Sequence, residues 1–207
     1  MTKTFLFLVL VLALFFLLAY IRKAAGNARL YKMLGMLREG KYSDVEILAT
    51  STSSRLLLST YSIQQILLQK AVLKKDTNDV NRIVTQLEKM KLTDQMKKDI
   101  YLEAFNYYVP MNEKKKAKSC AEKIRKLNGF DDTKRVVSLI EQVVLDGKTE
   151  NLQELIHQSE QAEGTEKVGL EGLIAQIYQH LGDQKNQHKY IQKAQADLRL
   201  MQTKQAG

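Results

Sequence analysis

A chain of 207 residues with 32 Lys and Arg against 23 Asp and Glu carries a formal charge of +9, and its 44% of apolar residues suffices for one compact domain or one short repeat array. Ten Gly, one Pro and few β-branched runs fit a mostly helical chain, and a lone cysteine, Cys120, excludes an internal disulfide.

Residues 1–4 form a short amino-terminal tail. The seventeen residues from Phe5 to Ile21 carry no charge. At about 1.5 Å of rise per residue such a run crosses most of a roughly 30 Å hydrocarbon layer. Every turn of it is apolar, whereas a core helix of a soluble protein keeps a polar stripe for water. The expectation is a transmembrane helix at 5–21, meeting the lipid bilayer through Phe5 to Ile21. A cleaved secretion signal is the rival reading, because Ala24 and Gly26 in "RKAAGNA" offer small residues at a cleavage distance. Signal cores run about 7 to 15 residues, and Arg22 and Lys23 stand where they hinder presentation of that site. Cations flanking a span stay on the cytoplasmic side. Arg22, Lys23, Arg29, Lys32, Arg38 and Lys41 follow this run while only Lys3 precedes it, so the expected protein is a single-pass protein of the cell membrane with a cytoplasmic body. Insertion the other way round puts the same body outside.

After a juxtamembrane linker at 22–28, apolar residues at helical spacing alternate with short polar breaks over residues 29–201, and residues 202–207 read as a flexible tail. The breaks recur. Anchored at Gly40, Lys75, Asn112, Gly147 and Gly182, they lie 35, 37, 35 and 35 residues apart, a period that stacked two-helix units produce. Four residues before the anchors stand Met36, Ala71, Tyr108, Val143 and Tyr178; seven before stand Met33, Leu68, Phe105, Ile140 and Ala175. Five after stand Val45, Val80, Ala117, Leu152 and Gln187; nine after stand Ala49, Val84, Ala121, Ile156 and Ile191. Of these twenty positions nineteen are apolar or Tyr, and the offsets keep each set on one helix face.

The stretch "LIAQIYQHLGDQKNQHKYIQKAQADL" resembles a tetratricopeptide repeat, through Ile174, Ala175 and Tyr178 before the Gly182-Asp183 turn and Ile191 and Ala194 after it, and "MLGMLREGKYSDVEIL" is similar. The resemblance covers about 170 residues as five divergent units. It departs from the family in lacking tryptophan, the proline that ends a unit, and a glycine at the second and third turns. The expected fold is all-α: an amino-terminal transmembrane helix followed by an α-solenoid of about five helix pairs, with a non-repeating helical bundle as the plainer alternative. In the last helix a stripe of Tyr190, Ile191, Ala194 and Leu198 is expected to fold onto the fifth unit.

Catalytic constellations are thin. Glu154 and His157 have a Glu-x-x-His spacing, but a di-metal bundle needs two such pairs, and His180 and His188 have no cysteine near them. No Gly-rich phosphate loop is present. Cys120 has lysines nearby, yet it shares a stripe with Ala117, Ala121 and Ile124, which is a packing position. No cofactor and no enzymatic activity are expected.

Charge is unevenly spread. The basic surface is Lys114, Lys115, Lys116 and Lys118, with Lys123, Arg125 and Lys126 beyond it, whereas residues 141–171 carry eight acids and two lysines. Such a patch fits a solvated helix face first, an anionic lipid surface next, and nucleic acid last, since no interleaved aromatic set accompanies it. The family resemblance implies a groove lined by the first helices, where Gln65, Gln69, Asn106, Glu141, Gln176 and Gln179 offer groups suited to a peptide backbone. The implied function is a membrane-anchored scaffold or adaptor for partner proteins. The alternatives are an extracytoplasmic chaperone-like module and a basic nucleic-acid-binding protein.

Overall fold

Left-handed backbone marks each of the five turns at which the sequence repeats. In this computed structural model, which describes the backbone of residues 2–205 and the side chains of residues 15–203, Gly40, Lys75, Asn112, Gly147 and Gly182 have φ between 56° and 74°. A residue in this conformation ends one helix and turns the chain back toward the next. The amide after it closes the turn by donating to the carbonyl five residues back: Lys41 to Met36, Asp76 to Ala71, Glu113 to Tyr108 and Asp183 to Tyr178, at 2.9 to 3.0 Å. At the fourth turn Lys148 donates six back, to Gln142, because a π-helical turn at Glu141–Leu145 inserts one residue.

The fold class is all-α. The described helices are α1 (Thr2–Arg38), α2 (Tyr42–Thr50), α3 (Thr52–Leu57), α4 (Thr60–Leu73), α5 (Thr77–Glu88), α6 (Asp94–Tyr108), α7 (Lys114–Arg125), α8 (Asp131–Ile140), α9 (Leu152–Gln161), α10 (Gly164–His180) and α11 (Gln184–Gln205). The five left-handed turns join α1 to α2, α4 to α5, α6 to α7, α8 with its π-helical turn to α9, and α10 to α11. Of the twenty apolar-column positions, thirteen are buried, six are half-buried and Ile191 is exposed.

Instead of one domain over 29–201, the chain divides into two compact units, Met1–Ile100 and Tyr101–Gly207. Chains whose helix pairs contact mainly their sequence neighbours have no single shared core to prevent such a division. The first unit packs Met33 and Leu37 of α1 against Val45 and Ala49 of α2 and Ile66 of α4. The Lys70 side chain, 5% exposed, ties α4 to Glu46 of α2 at 2.9 Å and to Asp79 of α5 at 3.9 Å. The expected linker at 22–28 is instead helical within α1 and packed: Gly26 is buried where a Cβ would lie 3.0 Å from the Leu57 carbonyl oxygen. Arg29 donates to the Ser54 hydroxyl of α3 at 2.8 Å, and Arg22 to the Leu56 carbonyl at 2.8 Å.

In the second unit Ala117, Cys120, Ala121 and Ile124 form the buried stripe of α7. A further core joins Val143, Leu155, Leu170, Ile174, Ala175, Ile177 and Tyr190. The stripe expected on the last helix is corrected here. Tyr190 is buried and stacks on Tyr178 with ring centroids 5.7 Å apart, whereas Ile191 is 37% and Leu198 45% exposed. The helix α11 also runs through 202–205 of the expected tail; residues 206 and 207 lie outside the described residues.

Among the described residues no helix is long and apolar enough to cross a membrane. The span expected at 5–21 falls within α1, and the side chains of its residues 5–14 lie outside the described residues. Its described end, Phe15, Phe16, Leu17, Leu18, Tyr20 and Ile21, is 52% to 72% exposed.

Candidate partner-binding cleft

The second unit holds an open cleft of about 720 Å³, walled by α8, the π-helical turn, α9 and α10. Two amphipathic helices make it. On α8, Val137 points into the core while Val136, Leu139 and Ile140, spaced as neighbours on a second face, line the cleft. On α10, Ile174, Ala175 and Ile177 are buried, and Gly169, Gly172, Leu173 and Gln176 follow the same spacing along the cleft side. Glycine within a helix costs about 0.5 to 1 kcal/mol relative to alanine. Here both glycines have open space where a Cβ would stand, so their absent side chains keep the floor low. Gln158 of α9 and Gln176 add amide groups, and Arg135 faces Glu166 at 3.5 Å at the polar rim. The cleft combines an apolar wall with a few polar groups.

The six groove residues read from the sequence are not all in this place. Gln65 and Gln69, both half-buried, lie on α4 in the first unit; the other four lie in the second. Gln176 lines the cleft. Glu141 has a side chain only 14% exposed and accepts a hydrogen bond from Arg125 of α7, an ion pair that sequence spacing alone did not disclose. Asn106 on α6 and Gln179 on α10 are exposed. Sequence reading missed Val136, Gly169 and Gly172, although their three- and four-residue spacing to Leu139 and Leu173 was a visible signal.

Two of the four lysines of the basic surface are paired with carboxylates of their own unit. Lys118 pairs with Asp146 at 2.5 Å, and Lys116 with Glu113 at 3.3 Å while its ammonium lies 5.6 Å from the Tyr108 ring centre. The Lys118 hydrogen bond holds the Asp146 carboxyl below its ordinary pKa and raises that of Lys118. Lys126 pairs with Glu122 at 2.6 Å. Lys114 and Lys115 are exposed. Thus α7 is fastened electrostatically to the π-helical turn and its end, which places Lys116, Lys118, Arg125 and Lys126 beside acids.

The remaining sequence candidates sit apart from the cleft's apolar wall. Glu154 accepts a hydrogen bond from Gln158 at 3.0 Å, His157 lies 3.2 Å from the Gln161 amide, and His180 Nε2 lies 2.9 Å from the Val143 carbonyl oxygen. Among the described residues no group of three or more His, Cys, Asp or Glu converges on a metal-sized site. No family model matches the chain, and neither curated proteins nor solved structures gave a match.

Proposed function

We propose that the chain is a membrane-anchored scaffold of tetratricopeptide-like helix pairs, and that the cleft between α8 and α10 receives an apolar segment of a partner protein. The open glycine floor of that cleft carries the reading. A backbone lying over Gly169 and Gly172 can approach α10 more closely than it could over residues bearing side chains, with apolar side chains between Val136 and Leu173. Gln158 and Gln176 can each donate to and accept from peptide groups of the guest.

The uncharged run from Phe5 to Ile21 supplies the anchor in this reading, and the exposure of its described end supports burial in lipid rather than in the body of the protein. Because α1 continues unbroken to Arg38, the anchor is part of the same helix that buries Met33 and Leu37 in the first core. Tethering acts by raising local concentration, so the function is binding and not catalysis. The six cations following the run favour a cytoplasmic body; the opposite insertion would make the same cleft an extracytoplasmic binding site. The pairing of Lys116 and Lys118 with acids weighs against a nucleic-acid surface.

The test is site-specific photo-crosslinking in native membranes, with the photoreactive residue at Val136. A discrete protein adduct that disappears in Gly172→Leu supports the reading. That substitution fills the floor while improving helix propensity by about 1 kcal/mol, and an unchanged melting curve of the variant separates loss of the adduct from unfolding. An adduct unchanged by Gly172→Leu, or formed equally from exposed Gln195, overturns it.

A further inference from the structure

A second, polar pocket of about 340 Å³ lies between α9, α10 and α11, lined by Ser159, Glu160, Lys167, Glu171, Lys193, Ala196 and Asp197. Its inner wall holds an anomaly. Glu171 is only 2% exposed, and its Oε2 has no hydrogen-bond donor from the protein. A buried carboxylate without a donor is costly, and natural structures rarely leave one. Neither nearby cation donates to this oxygen: Lys167 is bound to Asp197 at 2.8 Å, and the Lys193 ammonium lies 4.8 Å from the ring centre of Tyr190. Three carboxyl groups thus face two ammonium groups, leaving the pocket short of one positive charge.

We propose that this pocket binds the ammonium head of an aliphatic amine, with Glu171 as its principal acceptor. A cation with several N–H donors matches what the pocket lacks in both charge and hydrogen bonding. Glu171 accepts from it, and Glu160 and Asp197 complete the negative surroundings. The carboxylates do not form a metal cluster among the described residues, so a spread set of N–H donors fits better than a compact metal shell. The apolar stem of the amine leaves past Ala196 toward solvent. The same head occurs on free amines and on lysine side chains of proteins, and the two sources share this chemistry.

A proton is the competitor. Burial, followed by the negative charge of Asp197, pushes the Glu171 carboxyl above its ordinary range, opposed by Lys167 and Lys193. The groups facing it are Ser159 and Glu160 from α9, Lys167 on its own helix, and Tyr190, Lys193 and Asp197 from α11. Amine affinity therefore rises with pH as Glu171 gives up its proton.

The experiment is calorimetric titration of the full-length protein in nonionic detergent with n-butylamine and with Nα-acetyl-lysinamide. Expected is saturable 1:1 binding of at least one probe, stronger at pH 7.5 than at pH 5, and weakened about tenfold or more in Glu171→Gln. That variant removes a buried charge and retains the shape of the side chain. Preference for n-butylamine points to free amines as the source, and preference for the lysine probe to a partner protein. Absence of saturable binding by either probe overturns the proposal, as does equal affinity in Glu171→Gln.

Discussion

Replacing Lys75 by glycine should stabilise the first unit, the reverse of what glycine does in a helix. Lys75 sits at φ 56°, a conformation that costs an L-residue roughly 1 to 2 kcal/mol. Glycine removes that strain but enlarges the entropy of the unfolded chain, a loss of about 0.4 to 1 kcal/mol. The net expectation is a gain of about 0.5 to 1 kcal/mol, or a few degrees in the melting temperature of a unit of this size. Gly182→Ala is the mirror experiment. At φ 74° with no atom within 4 Å of the added Cβ, it meets backbone strain alone and should lose a similar amount from the second unit. Asn112→Gly should gain less than Lys75→Gly, since asparagine enters the left-handed region more readily. Thermal unfolding of the full chain in detergent, followed by circular dichroism, reads all three. A Lys75→Gly protein destabilised by about 1 kcal/mol, as for glycine in an exposed helix interior, would refute the turn assignment.

Other substitutions test the packing. Gly26→Val should separate α1 from α3 and lower stability by about 1 to 3 kcal/mol, because its Cβ begins 3.0 Å from a backbone oxygen that cannot rotate away; an unchanged melting curve would deny that contact. Tyr190→Asp should unfold the last helix pair while Ile191→Asp changes stability by no more than about 0.5 kcal/mol, and the opposite order would restore the stripe read from the sequence. Glu171→Gln should raise the melting temperature at neutral pH. The raised native pKa means that the folded protein binds this proton more tightly than the unfolded chain. Stability from that group is therefore full below the ordinary glutamate pKa and falls as pH rises through the native one. The gain from Gln should shrink toward pH 4, and a gain independent of pH would show that Glu171 titrates normally.

The all-α class and the five turns were legible because apolar columns and helix reversals are local properties. Met33, Val45, Leu68 and Val80 repeat at offsets that helix geometry fixes, and all four are fully buried. Events that shift the register by one residue were not legible. No residue of "EQVVL" announces the π-helical turn at Glu141–Leu145. Tyr190 and Ile191 are both apolar and adjacent, so only packing decides which faces inward; the polar Gln187 in the same helix was the available warning. Glu141 read as a groove residue because its partner Arg125 is sixteen positions away. The cleft was half legible: Gln176 was singled out, while Gly169 and Gly172 gain meaning only when α8 is seen opposite them.

Anchoring is the central claim, and alkaline carbonate extraction of native membranes tests it most directly. The account predicts that the full-length chain stays in the membrane pellet, retaining Phe5 to Ile21 by intact-mass measurement, and that Leu10→Arg with Leu14→Arg releases it. Extraction of the unaltered chain into the supernatant, or a membrane-free product lacking those residues, would contradict it.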